Sequence, residues 1–110
     1  MIGSTTERIQ FRAEELRSES LGIVGVAGDL TRKEAAEGLV AAAVAEWGRL
    51  DIVVNNAGMV AAAAPRLEAG TVTQMELDTW HRSLNRNLDT AFLLTKAAAP
   101  EMARQRCPIR

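Results

Sequence analysis

The run Trp47-Gly48-Arg49-Leu50-Asp51-Ile52-Val53-Val54-Asn55-Asn56-Ala57-Gly58 decides how this chain is read. Residues 50–54 form a short apolar, β-branched stretch, and the residues after it are small and polar. A stretch of that kind bounded by turn residues reads as a strand ending in a turn. Just before it, Leu39, Val40, Ala43, Val44 and Trp47 recur at helical spacing, with Glu34, Glu37 and Glu46 mostly off that stripe. Gly48 stands where a helix end needs a left-handed residue. A helix therefore delivers the chain into a strand.

The same alternation continues outward. Upstream, residues 22–28 (Gly-Ile-Val-Gly-Val-Ala-Gly) read as a strand buried on both faces. Its glycines, Gly22, Gly25 and Gly28, lie inside the strand with no helix opening among them, so they read as sites of close packing. Ile9, Ala13 and Leu16 predict a helix running to about Ser18, which Gly22 follows. Ser4-Thr5-Thr6-Glu7 and Thr31-Arg32-Lys33-Glu34 each have the form of a capping box. Downstream, residues 59–75 read as a loop, and a long helix is expected from about Glu76. Trp80, Leu84, Asn87, Leu88 and Ala91 share one face of it, followed by Leu94, Thr95, Ala98 and Met102. Asn87 on that stripe is expected to be buried, and a buried amide needs partners. Pro100 is expected to kink or interrupt the helix.

Strands buried on both faces and alternating with helices imply the α/β class, with a parallel sheet. In open sheets of this kind ligands bind at the carboxyl ends of the strands. Two polar signals fall there: Asp29-Leu30 after one strand and Asn55 to Gly58 after the next.

Composition limits what else the chain does. Its 110 residues fit one domain, and 47% apolar with 25% charged residues suits a folded core. A net charge of −1 with no basic cluster argues against a nucleic-acid partner or an acidic membrane surface. No apolar run approaches the ~20 residues of a membrane span. The start shows neither a charged region nor a long apolar core of a leader peptide. One cysteine, Cys107, forms no internal disulfide, so a cytoplasmic setting is expected. One histidine, His81, and one cysteine do not make a zinc site of the usual ligand count. Asp78, His81 and Ser83 point to different helix faces and do not compose a hydrolytic triad. His81 is expected to be exposed.

The 47–58 run resembles the fourth strand of the short-chain dehydrogenase/reductase family with its Asn-Asn-Ala-Gly motif. Asp29-Leu30-Thr31 resembles that family's acidic turn after the third strand. Trp80, Asn87-Leu88 and Phe92 resemble the helix carrying its active-site asparagine. These signals stand in the family order over residues 1–106. The start, Met1-Ile2-Gly3-Ser4-Thr5-Thr6, is similar to the end of the second strand in the 3-oxoacyl-carrier-protein reductase branch.

The resemblance implies a partial Rossmann-like, doubly wound sheet spanning residues 1–110: a stub of strand 2, then strands 3 and 4. It implies an oxidoreductase that moves hydride between a nicotinamide and a carbonyl or hydroxyl substrate. Asp29 would accept from the adenine amino group, with the Leu30 backbone beside it. Asn56, Ala57 and Gly58 would lie under the adenosine ribose, where small residues let the backbone approach. Thr6 and Ser4 would touch the adenosine end; read from the residues alone, both are helix caps. Asn87 would hold a water of the proton relay; read from the residues alone, it is a helix amide bonded to nearby backbone. No acidic residue ends the strand-2 stub, which tilts the implied cofactor from NAD toward NADP.

Other parts that the family uses do not appear. The chain has no tyrosine. Lys33 and Lys96, its two lysines, fall on unrelated helices, and no glycine-rich turn feeds a helix to cradle a diphosphate. The resemblance therefore implies a segment inactive alone. Strand 4 would lack both neighbours, so either marginal stability or direct pairing of strands 3 and 4 is expected. Residues 107–110, Cys-Pro-Ile-Arg, depart from the family pattern, as a frameshift or early stop would leave them. The alternative function is a non-catalytic interaction module, in which the Leu88–Met102 helix associates with a second copy or a full-length relative.

Overall fold

A computed structural model describes residues 2–3, 6–17, 22–58 and 71–105. The elements run β1 (Ile2–Gly3), α1 (Thr6–Arg17), β2 (Val26–Ala27), α2 (Lys33–Trp47), a 3-10 turn (Val72–Gln74), α3 (Leu77–Leu84), a π turn (Asn85–Asp89) and α4 (Thr90–Arg104). Cys107, Ser4 and most of the 59–75 stretch lie outside the described residues.

β1 and β2 pair in parallel, with Ile2 opposite Val26 and Gly3 opposite Ala27. α1 makes the crossover that a parallel pair requires. The strand expected over 22–28 is thus paired at only two positions, because a ladder is no longer than its shorter member. α1 sits on this pair through Ile9 and Ala13, which are 5% and 3% exposed. Gly25 makes that contact possible: a Cβ there would lie 2.4 Å from Ile9 Cγ2 and 3.5 Å from Ala13 Cβ. Close packing is the reading Gly25 fulfils. Gly22 meets nothing nearer than Trp47 Nε1 at 4.0 Å.

The larger core lies between α2 and α4. Val40, Leu94 and Ala98 are buried there, with Leu39, Val44, Leu50, Val53, Ala97 and Met102 packed around them. α2 ends as its sequence requires: Gly48 has φ 69° and its N–H donates to Val44 O at 2.8 Å. Its start differs from the expected capping box. The helix begins at Lys33 with Arg32 at the cap position and no side-chain cap bond. The Thr31 hydroxyl is already committed, donating to Asp29 Oδ1 at 2.7 Å.

Two further expectations are corrected. Residues 50–54 carry no ladder and do not pair with β2. Strand geometry is recognised by a partner, and no neighbouring strand stands on either edge among the described residues. Exposure still alternates there, with Val53 half-buried between Ile52 at 77% and Val54 at 73%, the period of an extended segment.

The long helix is also broken, but not at Pro100. α4 runs through Pro100 to Arg104, and the departure comes instead in the π turn at 85–89. A π turn inserts about one extra residue, which rotates the rest of the helix by roughly 100°. Trp80, Asn87 and Leu88 are exposed because, among the described residues, no element beyond their helical neighbours packs extensively on α3 and the π turn, while Thr90, Leu94 and Ala98 are buried. No helix among the described residues is long and apolar enough to cross a membrane.

Candidate functional site

The polar ends of the two strand segments are held by short local bonds. After β2, Asp29 Oδ1 accepts from both Thr31 N–H at 3.0 Å and Thr31 Oγ1 at 2.7 Å. Arg32 N–H then donates to Asp29 O at 3.0 Å, closing the turn into α2. The Thr31 hydroxyl first, and then its N–H, holds the Asp29 carboxyl below its ordinary value of 3.8. Asp29 itself is exposed, and Leu30 beside it is buried. The carboxylate's other oxygen remains able to accept, with the Arg32 and Arg86 charges acting on the same carboxyl.

The second end is anchored from α4. Asn55 Nδ2 donates to Thr95 Oγ1 at 3.0 Å, and Leu50 N–H donates to Gln105 Oε1 at 2.9 Å. Neither Thr95 nor Gln105 stood out as a site residue in the sequence. Thr95 carried a signal, because a polar residue sits among the apolar positions of that helix; Gln105 carried none.

Asn56, Ala57 and Gly58 are exposed. Asn56 N–H donates to Val54 O at 3.0 Å, which turns the chain after the apolar run. Gly58 lies against Asn87: a Cβ on Gly58 would stand 2.7 Å from Asn87 Oδ1. Asn87 is exposed rather than buried, which corrects the sequence expectation, and it lies within the π turn. Its Nδ2 donates to Ser83 O at 2.9 Å, the local backbone bond that a helix amide makes. Thr90 closes the same turn, its hydroxyl donating toward Arg86 O at 3.1 Å and Asn87 O at 3.3 Å.

Leu30, Asn56 and Ala57 line one groove of about 440 Å³, together with Trp47, Ile52 and Val54. Three of the seven residues singled out from the sequence thus meet in a single groove. Asp29 adjoins it through Leu30, while Gly58 and Asn87 form a contacting pair at its continuation. Thr6 does not join them: it is the exposed first residue of α1. Lys33 opens α2, and Lys96 lies in α4 with its Nζ 5.6 Å from the Phe92 ring centre. His81 is exposed on α3. No glycine turn opening a helix, as a diphosphate would need, is seen among the described residues.

The chain is similar to several known proteins. (2S)-[(R)-hydroxy(phenyl)methyl]succinyl-CoA dehydrogenase subunit BbsD of Thauera aromatica is 30% identical over 96 residues, 87% of this chain and 36% of that protein. A Streptomyces violaceoruber protein named as ketoacyl reductase 1 of the granaticin polyketide synthase is 33% identical over 90 residues, covering 82% of this chain and 30% of its own length. Among solved structures, a metagenomic short-chain oxidoreductase in complex with NADP superposes with a TM-score of 0.75 at 25% identity, over 94% of this chain and 44% of that one. An NAD+-bound xylitol dehydrogenase gives a TM-score of 0.78 at 25% identity, over 94% of this chain and 38% of that one. The chain therefore spans less than half the length of these relatives. The family model for short chain dehydrogenase matches residues 1–107, and the chain belongs to that family.

Proposed function

We propose that this chain forms the adenosine-side half of a nicotinamide dinucleotide site and does not transfer hydride by itself. The meeting of Leu30, Asn56 and Ala57 in one groove carries this reading. Asp29 would accept from the adenine amino group with its uncommitted oxygen, beside the Leu30 backbone. Asn56, Ala57 and Gly58 would lie along the ribose. Asn87 backs Gly58 and would orient a water. Thr6 is retained as a contact to the adenosine end. The dinucleotide, when bound, would supply the hydride chemistry; this chain's own residues position only one end of it.

Catalysis needs an acid that the chain does not contain, since it has no tyrosine. NADP is favoured over NAD because no acidic side chain ends β1 to clamp a ribose hydroxyl. Both cofactors occur among the solved relatives. The similarity to a protein named as a ketoacyl reductase supports the 3-oxoacyl-carrier-protein reductase branch. Titration of the labelled chain with NADPH, followed by amide NMR, tests the reading. Saturable shifts at residues 29–30 and 56–58 are expected, with no turnover of carbonyl substrates.

A second reading has its own observation. Leu88 and Phe92, which lie near the junction of the π turn and α4, are 61% and 60% exposed. They would give the Leu88–Met102 helix an apolar surface for a full-length relative. Co-purification with such a relative, lost in Leu88→Asp/Phe92→Asp, would favour it.

A further inference from the structure

Thr90 is 6% exposed, a buried hydroxyl at the junction of the π turn and α4. It donates to Arg86 O at 3.1 Å and reaches Asn87 O at 3.3 Å. A helical threonine commonly bonds a carbonyl three or four residues back, but the position of this one gives the bond a particular consequence. Where i→i+5 spacing gives way to i→i+4 spacing, one carbonyl falls between the two patterns. With the π turn ending at Asp89, Thr90 N–H is directed to Asn85 O and Ala91 N–H to Asn87 O, so that carbonyl is Arg86 O. The Thr90 hydroxyl supplies a donor there.

Taking the hydroxyl away changes the balance. If α spacing resumed one residue earlier, Thr90 N–H would reach Arg86 O, so a carbonyl deprived of its donor favours the tighter register. Losing the extra residue rotates one side of the junction against the other by roughly 100°. α4 is pinned, with Leu94 and Ala98 in the core against Val40. Residues 85–89 are therefore the side that turns. Asn87 lies among them, and its Oδ1 stands 2.7 Å from where a Gly58 Cβ would be.

From this we infer that Thr90 is a positioning residue: its hydroxyl holds the π turn and thereby keeps the Asn87 amide against Gly58. The consequence for binding rests on the dinucleotide site proposed above, whose ribose side Thr90 sets from within the helix.

Thr90→Val keeps the shape and removes the hydroxyl, while Thr90→Ser retains it, and two readouts compare them. In the chain without nucleotide, the proton NOE between Gly58 Hα and the Asn87 side-chain amide should disappear in Thr90→Val and persist in Thr90→Ser. The Leu94 methyl shifts should stay in place in both. On titration with NADPH, Thr90→Val should lower the shifts at 56–58 several-fold and spare those at 29–30, with Thr90→Ser restoring the response. Thr90→Ala stands in for valine if valine does not fold. An Asn87–Gly58 contact that survives loss of the hydroxyl, or is lost equally in Thr90→Ser, would overturn the inference. So would NADPH shifts at 56–58 that Thr90→Val leaves unchanged, or an equal loss at 29–30. An unaltered chain that shows no response to NADPH contradicts the dinucleotide site, and the nucleotide-free NOE still decides the role of Thr90.

Discussion

Gly58 and Asn87 meet so closely that neither is chosen independently of the other. A Cβ on Gly58 would stand 2.7 Å from Asn87 Oδ1, so Gly58→Ala must push the amide aside. The displaced group is the end of an exposed side chain, which limits the stability cost to about 1 kcal/mol. The larger effect is expected in binding: the NADPH-induced shifts at 56–58 should fall several-fold while the thermal midpoint barely moves. Gly25 gives the opposite pattern. Its Cβ would strike Ile9 at 2.4 Å inside the α1–β2 contact, and Ile9 is buried. Gly25→Ala should cost about 1–3 kcal/mol, measured by urea titration, with α1 amides losing protection.

Asp29 carries a pH signature at the same scale. Its carboxyl is held below 3.8 by the Thr31 hydroxyl and N–H. A folded value below the unfolded one means that its contribution is present above the unfolded value and is lost as pH falls through the folded value. The Asp29 carboxyl carbon, followed by NMR, should titrate below the ordinary range. Thr31→Val keeps the N–H but removes the hydroxyl, and should move that midpoint upward.

At the scale of elements, α2 and α4 hold the better-packed part of the chain. Leu94 sits with Val40 and Ala98 at its centre, so Leu94→Ala should cost about 2–5 kcal/mol. In a core this small that loss is expected to abolish the cooperative urea transition. The helices were legible from sequence because their apolar spacing and the Gly48 stop are local signals. The strands were legible only as apolar runs, since pairing is decided by partners elsewhere in the chain. Residues 50–54 have no partner strand among those described, and only two residues of 22–28 find one. The exposure of Asn87 was not legible for another reason. Helical spacing is local, whereas burial depends on what packs against the helix, and among the described residues only their helical neighbours pack extensively on α3 and the π turn. Asp29, Leu30 and the Asn56 to Gly58 turn were visible as polar breaks after apolar runs. The meeting of Leu30, Asn56 and Ala57 in one groove was not, because it depends on how α2 and α4 carry the two segments together.

The whole molecule is more open than its length requires. Its radius of gyration is 16.7 Å, where about 13 Å is usual for a compact chain of this size. Ile52, Val54, Leu77, Leu88 and Phe92 all stand well exposed. Stability is therefore expected to be low for a chain of this length. A low midpoint in urea titration checks this. The relatives are more than twice as long as this chain. Above all, the two strand ends are proposed to present one half of a dinucleotide site. Amide NMR of the whole chain titrated with NADPH tests that proposal most directly. Saturable shifts centred on Asp29, Leu30 and residues 56–58, extending at most to Thr6 and Asn87 and reduced by Gly58→Ala, are predicted; unchanged spectra at millimolar NADPH, or shifts scattered away from these residues, would contradict it.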